Sequence, residues 1–168
     1  MHRNKVVLAT YNAGKLRELR ALLLETDLEC ISQAEYRVPE IPETGQTFFE
    51  NALIKARNAC RYSGLPSIAD DSGLVVDCLQ GAPGVHSARF AGEKATDSDN
   101  LKKLLQAVRE FSAEERTARF KCAMVYLRSE SDPSPLISVG TWEGRISMTA
   151  RGRHGFGYDP VFLVIDLK

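Results

Sequence analysis

The chain has 168 residues, 43% of them apolar, and 22 Lys plus Arg are balanced by 22 Asp plus Glu. That length suits one well-buried domain, and the charge balance excludes a global field that would draw the protein to nucleic acid or to a membrane surface. An anionic ligand must therefore meet a local cluster of basic groups. No run approaches the roughly 18 apolar residues needed to span a bilayer. The four cysteines, Cys30, Cys60, Cys78 and Cys122, form no C-x-x-C pair and no metal-like spacing. MHRNK followed by VVLAT lacks a signal-peptide apolar stretch. The expectation is a cytoplasmic protein with free thiols.

In chain order, Lys5 to Thr10 (KVVLAT) reads as a strand buried on both faces. Leu16, Leu19, Leu22 and Leu23 recur at helical spacing from Gly14 to about Glu25. A second strand follows near Leu28 to Ser32, then a proline-bearing loop, RVPEIPETG, at 37–45. Thr47 and Glu50 have the capping-box spacing, and the helix they open runs through NALIKARNACRY until Gly64 and Pro66 stop it. SIAD and LVVDCL predict strands on either side of the DDSG motif, and GAPG at 81–84 predicts a turn. Thr96 and Asp99 cap a helix whose Leu101, Leu104, Leu105 and Val108 fall on one face. TARFKCAMVYLR and LISVGTWEGRIS alternate as long strands and predict an antiparallel hairpin around Ser131 to Pro135. This order predicts an α/β class: a single domain, residues 1–168, with a central mixed β-sheet flanked by helices on both sides.

Four stretches carry groups suited to chemistry. TYNAGK, 10–15, leaves a strand and opens a helix, where backbone N–H groups attract anions. It is either a phosphate seat or an ordinary connection with a solvated Lys15, and it is not a Walker A loop, because Ala9 and Leu16 stand where glycine and serine or threonine are required. Asp70 and Asp71 are adjacent, so on a strand they point to opposite faces and one lines a site while the other is held by a partner. One such carboxylate suffices for magnesium, and a local Asx turn is the alternative. Asn51 and Lys55, four apart on a helix, share a face that can hold an anion or orient a carboxylate, unless Lys55 is simply solvated. In ARGRHGFGYDP, 150–160, three glycines surround Arg151, Arg153, His154, Phe156, Tyr158 and Asp159. Phe156 can stack on a purine and Asp159 can accept protons from its edge, or Phe156 and Tyr158 plug the core.

Taken together, T-x-N-x-G-K at Thr10, Asn12, Gly14 and Lys15, ETG with FxENAxxKA at 43–56, ADDSGL at 69–74, GAPGVHSARF at 81–90 and GFGYDP at 155–160 resemble the inosine triphosphate pyrophosphatase family. The blocks occur in the family's order over essentially the whole chain. The resemblance implies magnesium-assisted attack of water on the α-phosphorus of non-standard purine nucleoside triphosphates (ITP, dITP, XTP), giving a monophosphate and pyrophosphate. It implies Asp71 as proton acceptor and metal contact, with Glu43 as second acid at the metal. Thr10, Asn12, Gly14 and Lys15 become the phosphate turn, Lys55 a basic residue facing the phosphates, and Ser72 a substrate contact. Phe156, Gly157, Tyr158 and Asp159 become the nucleoside loop. A homodimer is implied as well. On this reading Lys15 and Asp71 share one crevice beside the first helix's amino end.

Beyond the strand containing VFLVI the resemblance implies a further segment with a substrate-binding lysine, a Ser-His-Arg motif and a closing helix, whereas this sequence ends at Lys168. The expectation is weaker base discrimination and lower stability than in longer relatives, with Arg151, Arg153 and His154 as partial substitutes. A nucleotide-binding protein with weak or no turnover is the alternative function. An aspartyl-nucleophile phosphohydrolase ranks low, since its two aspartates are separated by one residue.

Overall fold

The computed structural model describes residues 4–152 and 155–165. Arg153 and His154 lie outside the described residues. Six strands, β1 (Asn4–Leu8), β2 (Leu28–Ser32), β3 (Ser67–Val76), β4 (Thr117–Leu127), β5 (Leu136–Ile146) and β6 (Phe162–Val164), form one sheet in the order β2-β1-β3-β4-β5-β6. β1 is parallel to β2 and β3, and β5 is antiparallel to β6, so the sheet is mixed as expected. Three α-helices are α1 (Ala13–Leu22), α2 (Phe48–Ser63) and α3 (Asp97–Ala107). By internal contact the chain divides into two compact units, Met1–Asp71 with Ala123–Val139 and Ser72–Cys122 with Gly140–Lys168.

In the first unit β1 is buried on both faces, and alternation along it assigns each helix a side. Val6 and Leu8, with Ile68, pack on Leu16, Leu19 and Leu23 of the α1 region. Val7 and Ala9, with Ala69, Val125 and Leu127, pack on Ala52, Ala56, Ala59 and Cys60 of α2. The two helices therefore cover opposite faces of β1. Leu22, expected on the apolar face of α1, is 74% exposed. The helix ends there rather than near Glu25, because the chain turns after Leu23, whose carbonyl accepts from the Thr26 hydroxyl at 2.6 Å. α2 behaves as its sequence dictates: Thr47 and Glu50 close a capping box, and Gly64, at φ 68°, ends the helix in the left-handed conformation.

β3 corrects one expectation. SIAD and LVVDCL are not two strands around a turn; Ser67 to Val76 is a single strand, and Asp70, Asp71 and Ser72 lie within it. The Asx-turn alternative is thereby set aside. The segment joining β4 to β5 is tied by Asp132, whose carboxylate accepts from the Arg128 guanidinium at 2.8 Å twice and from the backbone N–H groups of Arg128 and Ser134 at 3.0 Å. The Arg128 guanidinium, followed by those backbone donors, holds the Asp132 carboxyl well below the usual range. β5 also departs from simple alternation: Leu136 to Trp142 are exposed on both faces bar none, and burial begins only toward Ile146.

The second unit has its own core, in which Leu74 and Val76 pack with Leu104 and Val108 from the α3 region, Ala118, Ile146, Tyr158 and Val161. Thr96 and Asp99 cap α3 as the sequence predicts. Among the described residues no helix is long and apolar enough to cross a membrane.

Candidate active site

β3 turns its two aspartates to opposite faces, and each meets a different helix. Ile68 belongs to the α1 side and Ala69 to the α2 side. Continuing the alternation sends Asp70 toward α1 and Asp71 toward α2. The partners agree: Lys15 Nζ of α1 lies 2.6 Å from Asp70 Oδ2, while Lys55 Nζ and Asn51 Nδ2 of α2 lie 3.2 and 3.1 Å from Asp71 Oδ1 and Oδ2. Both aspartates are 6% exposed.

Around Asp71 the geometry is closely specified. Asn51 and Lys55 are one helical turn apart and reach the same carboxylate, as their spacing predicts. Lys55 Nζ also donates to Glu43 Oε1 at 2.9 Å, so two carboxylates converge on one ammonium. Glu43 lies in an irregular loop, and that loop is fastened at both ends. Asn58 Nδ2 donates to the Pro39 carbonyl at 2.8 Å, and Gly45 N donates to Asn51 Oδ1 at 2.8 Å. Gln46 N and Thr47 N both donate to Glu50 Oε2. Gly45 is required by close approach, since a Cβ there would lie 2.6 Å from Glu50 Cβ and 2.7 Å from Asn51 Oδ1. Fully buried Asn51 thus couples the loop to the aspartate with its two ends.

Burial raises the Asp71 carboxyl above its ordinary range, and the Glu43 charge adds to this, against the opposing influence of Lys55 and Asn51. Burial by itself would lower Lys55, but Asp71 and Glu43 outweigh it, and the ammonium is held above the ordinary lysine value. The site is a cation between two acids, with one of the acids poised to accept a proton more readily than a solvated carboxylate.

On the α1 side, Asn12 caps the helix. Its Oδ1 accepts from Gly14 N and Lys15 N at 2.8 and 3.1 Å, and Asn12 N donates to Thr10 Oγ1 at 3.1 Å. The turn is rigid, but the amides expected to receive phosphate are already occupied by side chains of the same turn. Tyr11, whose hydroxyl donates to the Val38 carbonyl, secures it against the loop before Glu43. Lys15 is paired with Asp70 and not with Asp71, which meets Lys55 instead.

The loop 155–159 lies in the second unit. Phe156 is 41% exposed, whereas Tyr158 is buried and its hydroxyl donates to the Ser87 carbonyl at 2.8 Å. Burial pushes the Tyr158 phenol far up, with Asp97 contributing. Asp159 Oδ2 accepts from Phe156 N at 3.0 Å, and Gly157 N donates to Asp97 Oδ2 at 2.9 Å. Tyr158 is thus a core residue, and the Asp159 carboxylate has a structural partner within its own loop. Gly155 and Gly157 take φ of +90° and +59°, and a Cβ at position 155 would collide with the Asp159 carboxylate. Ser72 is half-buried on β3. Sequence reasoning gave no role to Asp97 or Ser87, which organise this loop from 60 and 71 residues away in the chain. Ser87 stands in the GAPGVHSARF block, but nothing local in the sequence ties it or Asp97 to this loop.

Among the described residues no group of three or more His, Cys, Asp or Glu side chains is placed to hold a metal ion. The donor set is therefore not that of a closed protein cage. Two acids meeting at one cation do suit magnesium, which takes one or two protein carboxylates and completes its shell with water and phosphate oxygens.

The model of the Ham1 family matches residues 6–167 of the sequence. A protein named dITP/XTP pyrophosphatase from Vibrio parahaemolyticus is 57% identical over 160 residues, 95% of this chain and 80% of the relative. One of the same name from Photobacterium profundum is 56% identical over 161 residues, 96% of this chain and 82% of the relative. Among solved structures, a HAM1 protein from Coxiella burnetii superposes with a TM-score of 0.89 at 48% identity, covering 96% of this chain and 82% of that one.

Proposed function

The chain belongs to the Ham1 family, and on that premise we propose that it hydrolyses non-standard purine nucleoside triphosphates, ITP, dITP and XTP, to the monophosphate and pyrophosphate. The names carried by its relatives support the substrate class. The observation that carries the reading is the arrangement around Lys55, whose ammonium bridges Glu43 and Asp71 inside a largely buried site.

The chemistry follows from that arrangement. Water attacks the α-phosphorus, the bond to the bridging oxygen breaks, and its electron pair leaves on pyrophosphate. Asp71, whose affinity for a proton is raised by burial, takes the proton released by the attacking water. Asn51 and Lys55 fix the carboxylate so that an oxygen is held in place for that transfer. A triphosphate carries about four negative charges, so such transfers depend chiefly on alignment and neutralisation, to which Lys55 and Lys15 contribute fixed positive charge. Glu43 and Asp71 are the residues that would hold magnesium. When bound, the ion would neutralise phosphate oxygens and lower the pKa of a coordinated water.

Phe156 supplies the exposed aromatic face for the base in this reading, with the backbone of Gly157 and the Asp159-braced turn setting its position. Ser72 and Thr10 are the hydroxyl contacts to the substrate. A 6-oxo purine lacking an exocyclic amino group is selected when the pocket leaves polar partners unmet with adenine or guanine. A cytoplasmic location fits four free cysteines and a substrate drawn from the nucleotide pool. A homodimer is supported by the exposed apolar residues Leu136, Ile137 and Val139 on β5.

The test is product analysis. With ITP and magnesium the protein should yield IMP and pyrophosphate in equal amounts, and omission of magnesium should stop the reaction. Nucleotide binding without product would instead establish a binding protein, and release of orthophosphate would assign a different cleavage.

A further inference from the structure

Lys15 stands in the first turn of α1, where aligned backbone dipoles present positive charge and a cation is disfavoured. That turn contains no acidic residue. Its compensation comes from β3, where Asp70 Oδ2 lies 2.6 Å from Lys15 Nζ. Asp70 is 6% exposed, and its other oxygen, Oδ1, is buried with no hydrogen-bond partner among the described residues.

Two features make this more than a structural ion pair. A carboxylate placed only to hold the fold would be expected to have both oxygens satisfied, because an unmet buried acceptor is costly. Here one oxygen has no partner among the described residues, and Lys15 answers only the other. Secondly, the amides of Gly14, Lys15 and Asn12 are committed to Asn12 Oδ1 and Thr10 Oγ1. The Lys15 ammonium is then the main group this turn can offer an arriving phosphate, and Asp70 already holds it.

We infer that Asp70 is a positioning residue acting through Lys15: it is the internal anion that a polyphosphate displaces from the ammonium, and it reclaims the ammonium as pyrophosphate departs. The inference rests on the polyphosphate reading of the site and deepens it. Asp70 keeps Lys15 aimed while the site is empty, and it weakens the hold on product by competing for the same cation. Asp71, on the opposite face, is left to the chemistry.

The experiment is calorimetric titration of sodium pyrophosphate into wild type, Asp70→Asn, Lys15→Met and the double variant, with ITP turnover measured alongside. Removing the competing charge should tighten pyrophosphate binding about tenfold, the low end of coupling measured for close charge pairs. KM and kcat for ITP should fall together as product is held longer. In the Lys15→Met background the same Asp70 change should alter pyrophosphate affinity by less than about twofold, since the cation through which it acts is gone. A purely structural Asp70 gives the opposite sign: unchanged or weaker pyrophosphate binding in Asp70→Asn overturns the inference, as does equal tightening without Lys15. Asp70→Ser serves with the same readouts if the asparagine variant does not fold. A wild-type protein that neither binds pyrophosphate nor consumes ITP overturns the functional reading together with the inference, and the wild-type arm alone identifies that outcome.

Discussion

Asp70 and Asp71, neighbours in the chain, are turned to opposite faces of β3 and are met by lysines from different helices, Lys15 from α1 and Lys55 from α2. The division answers a problem of electrostatics. Two adjacent buried carboxylates repel each other unless each has its own cation. Period-two alternation separates them at no cost in backbone geometry, and the helix on each side supplies one positive charge.

The Asp71 carboxyl should titrate above the ordinary aspartate range in the free protein, first because it is buried and then because Glu43 lies close. Carboxyl-carbon NMR on the metal-free protein checks this. Glu43→Gln removes the repelling charge and leaves Lys55 to Asp71, so the midpoint should move down. The sign for activity follows: Asp71 must be ionised to accept a proton, so kcat/KM falls as pH drops through its titration. A midpoint unmoved or raised by Glu43→Gln contradicts the assignment of the repulsion.

Gly45→Ala should damage both fold and site. The new methyl would enter space held by Glu50 Cβ and Asn51 Oδ1, forcing the loop that carries Glu43 away from α2. A cost of about 1–3 kcal/mol is expected for such overpacking, read as a lower midpoint in urea unfolding, together with reduced turnover because Asn51 also holds Asp71. A variant of wild-type stability and rate would show that the loop yields freely.

Two neighbouring aromatics should behave differently. Tyr158→Phe deletes the hydrogen bond to the Ser87 carbonyl and should lower stability by about 1 kcal/mol with base preference unchanged. Phe156→Ala should leave the melting temperature nearly as it is, because the ring is 41% exposed, yet raise KM for ITP. Reversal of these outcomes would remove Phe156 from base recognition.

Much of this arrangement is legible in the sequence because it follows from short-range rules. The capping boxes at Thr47 and Thr96, the leucine periods, the i,i+4 pairing of Asn51 with Lys55 and the opposite orientation of adjacent strand residues all depend on local geometry. What failed depends on long-range placement. Whether Lys15 faces Asp70 or Asp71 is decided by which side of β1 takes α1, and one sequence does not announce that choice. Tyr158 belonging to a core and Asp97 bracing Gly157 likewise depend on packing across some 60 residues. DDSG, rich in turn-forming residues, still runs as continuous strand with a lysine paired to an aspartate on each face, so tertiary context overrides local propensity there.

Single-turnover cleavage of ITP by Asp71→Asn tests the proposed chemistry most directly, with magnesium present and nucleotide binding measured on the same sample. The variant should bind ITP and keep its circular dichroism spectrum while cleavage slows by about 10²–10⁴, the usual contribution of a positioned general base. Cleavage at the wild-type rate would show that the proton leaves the attacking water by another path, and the role given to Asp71 would be wrong.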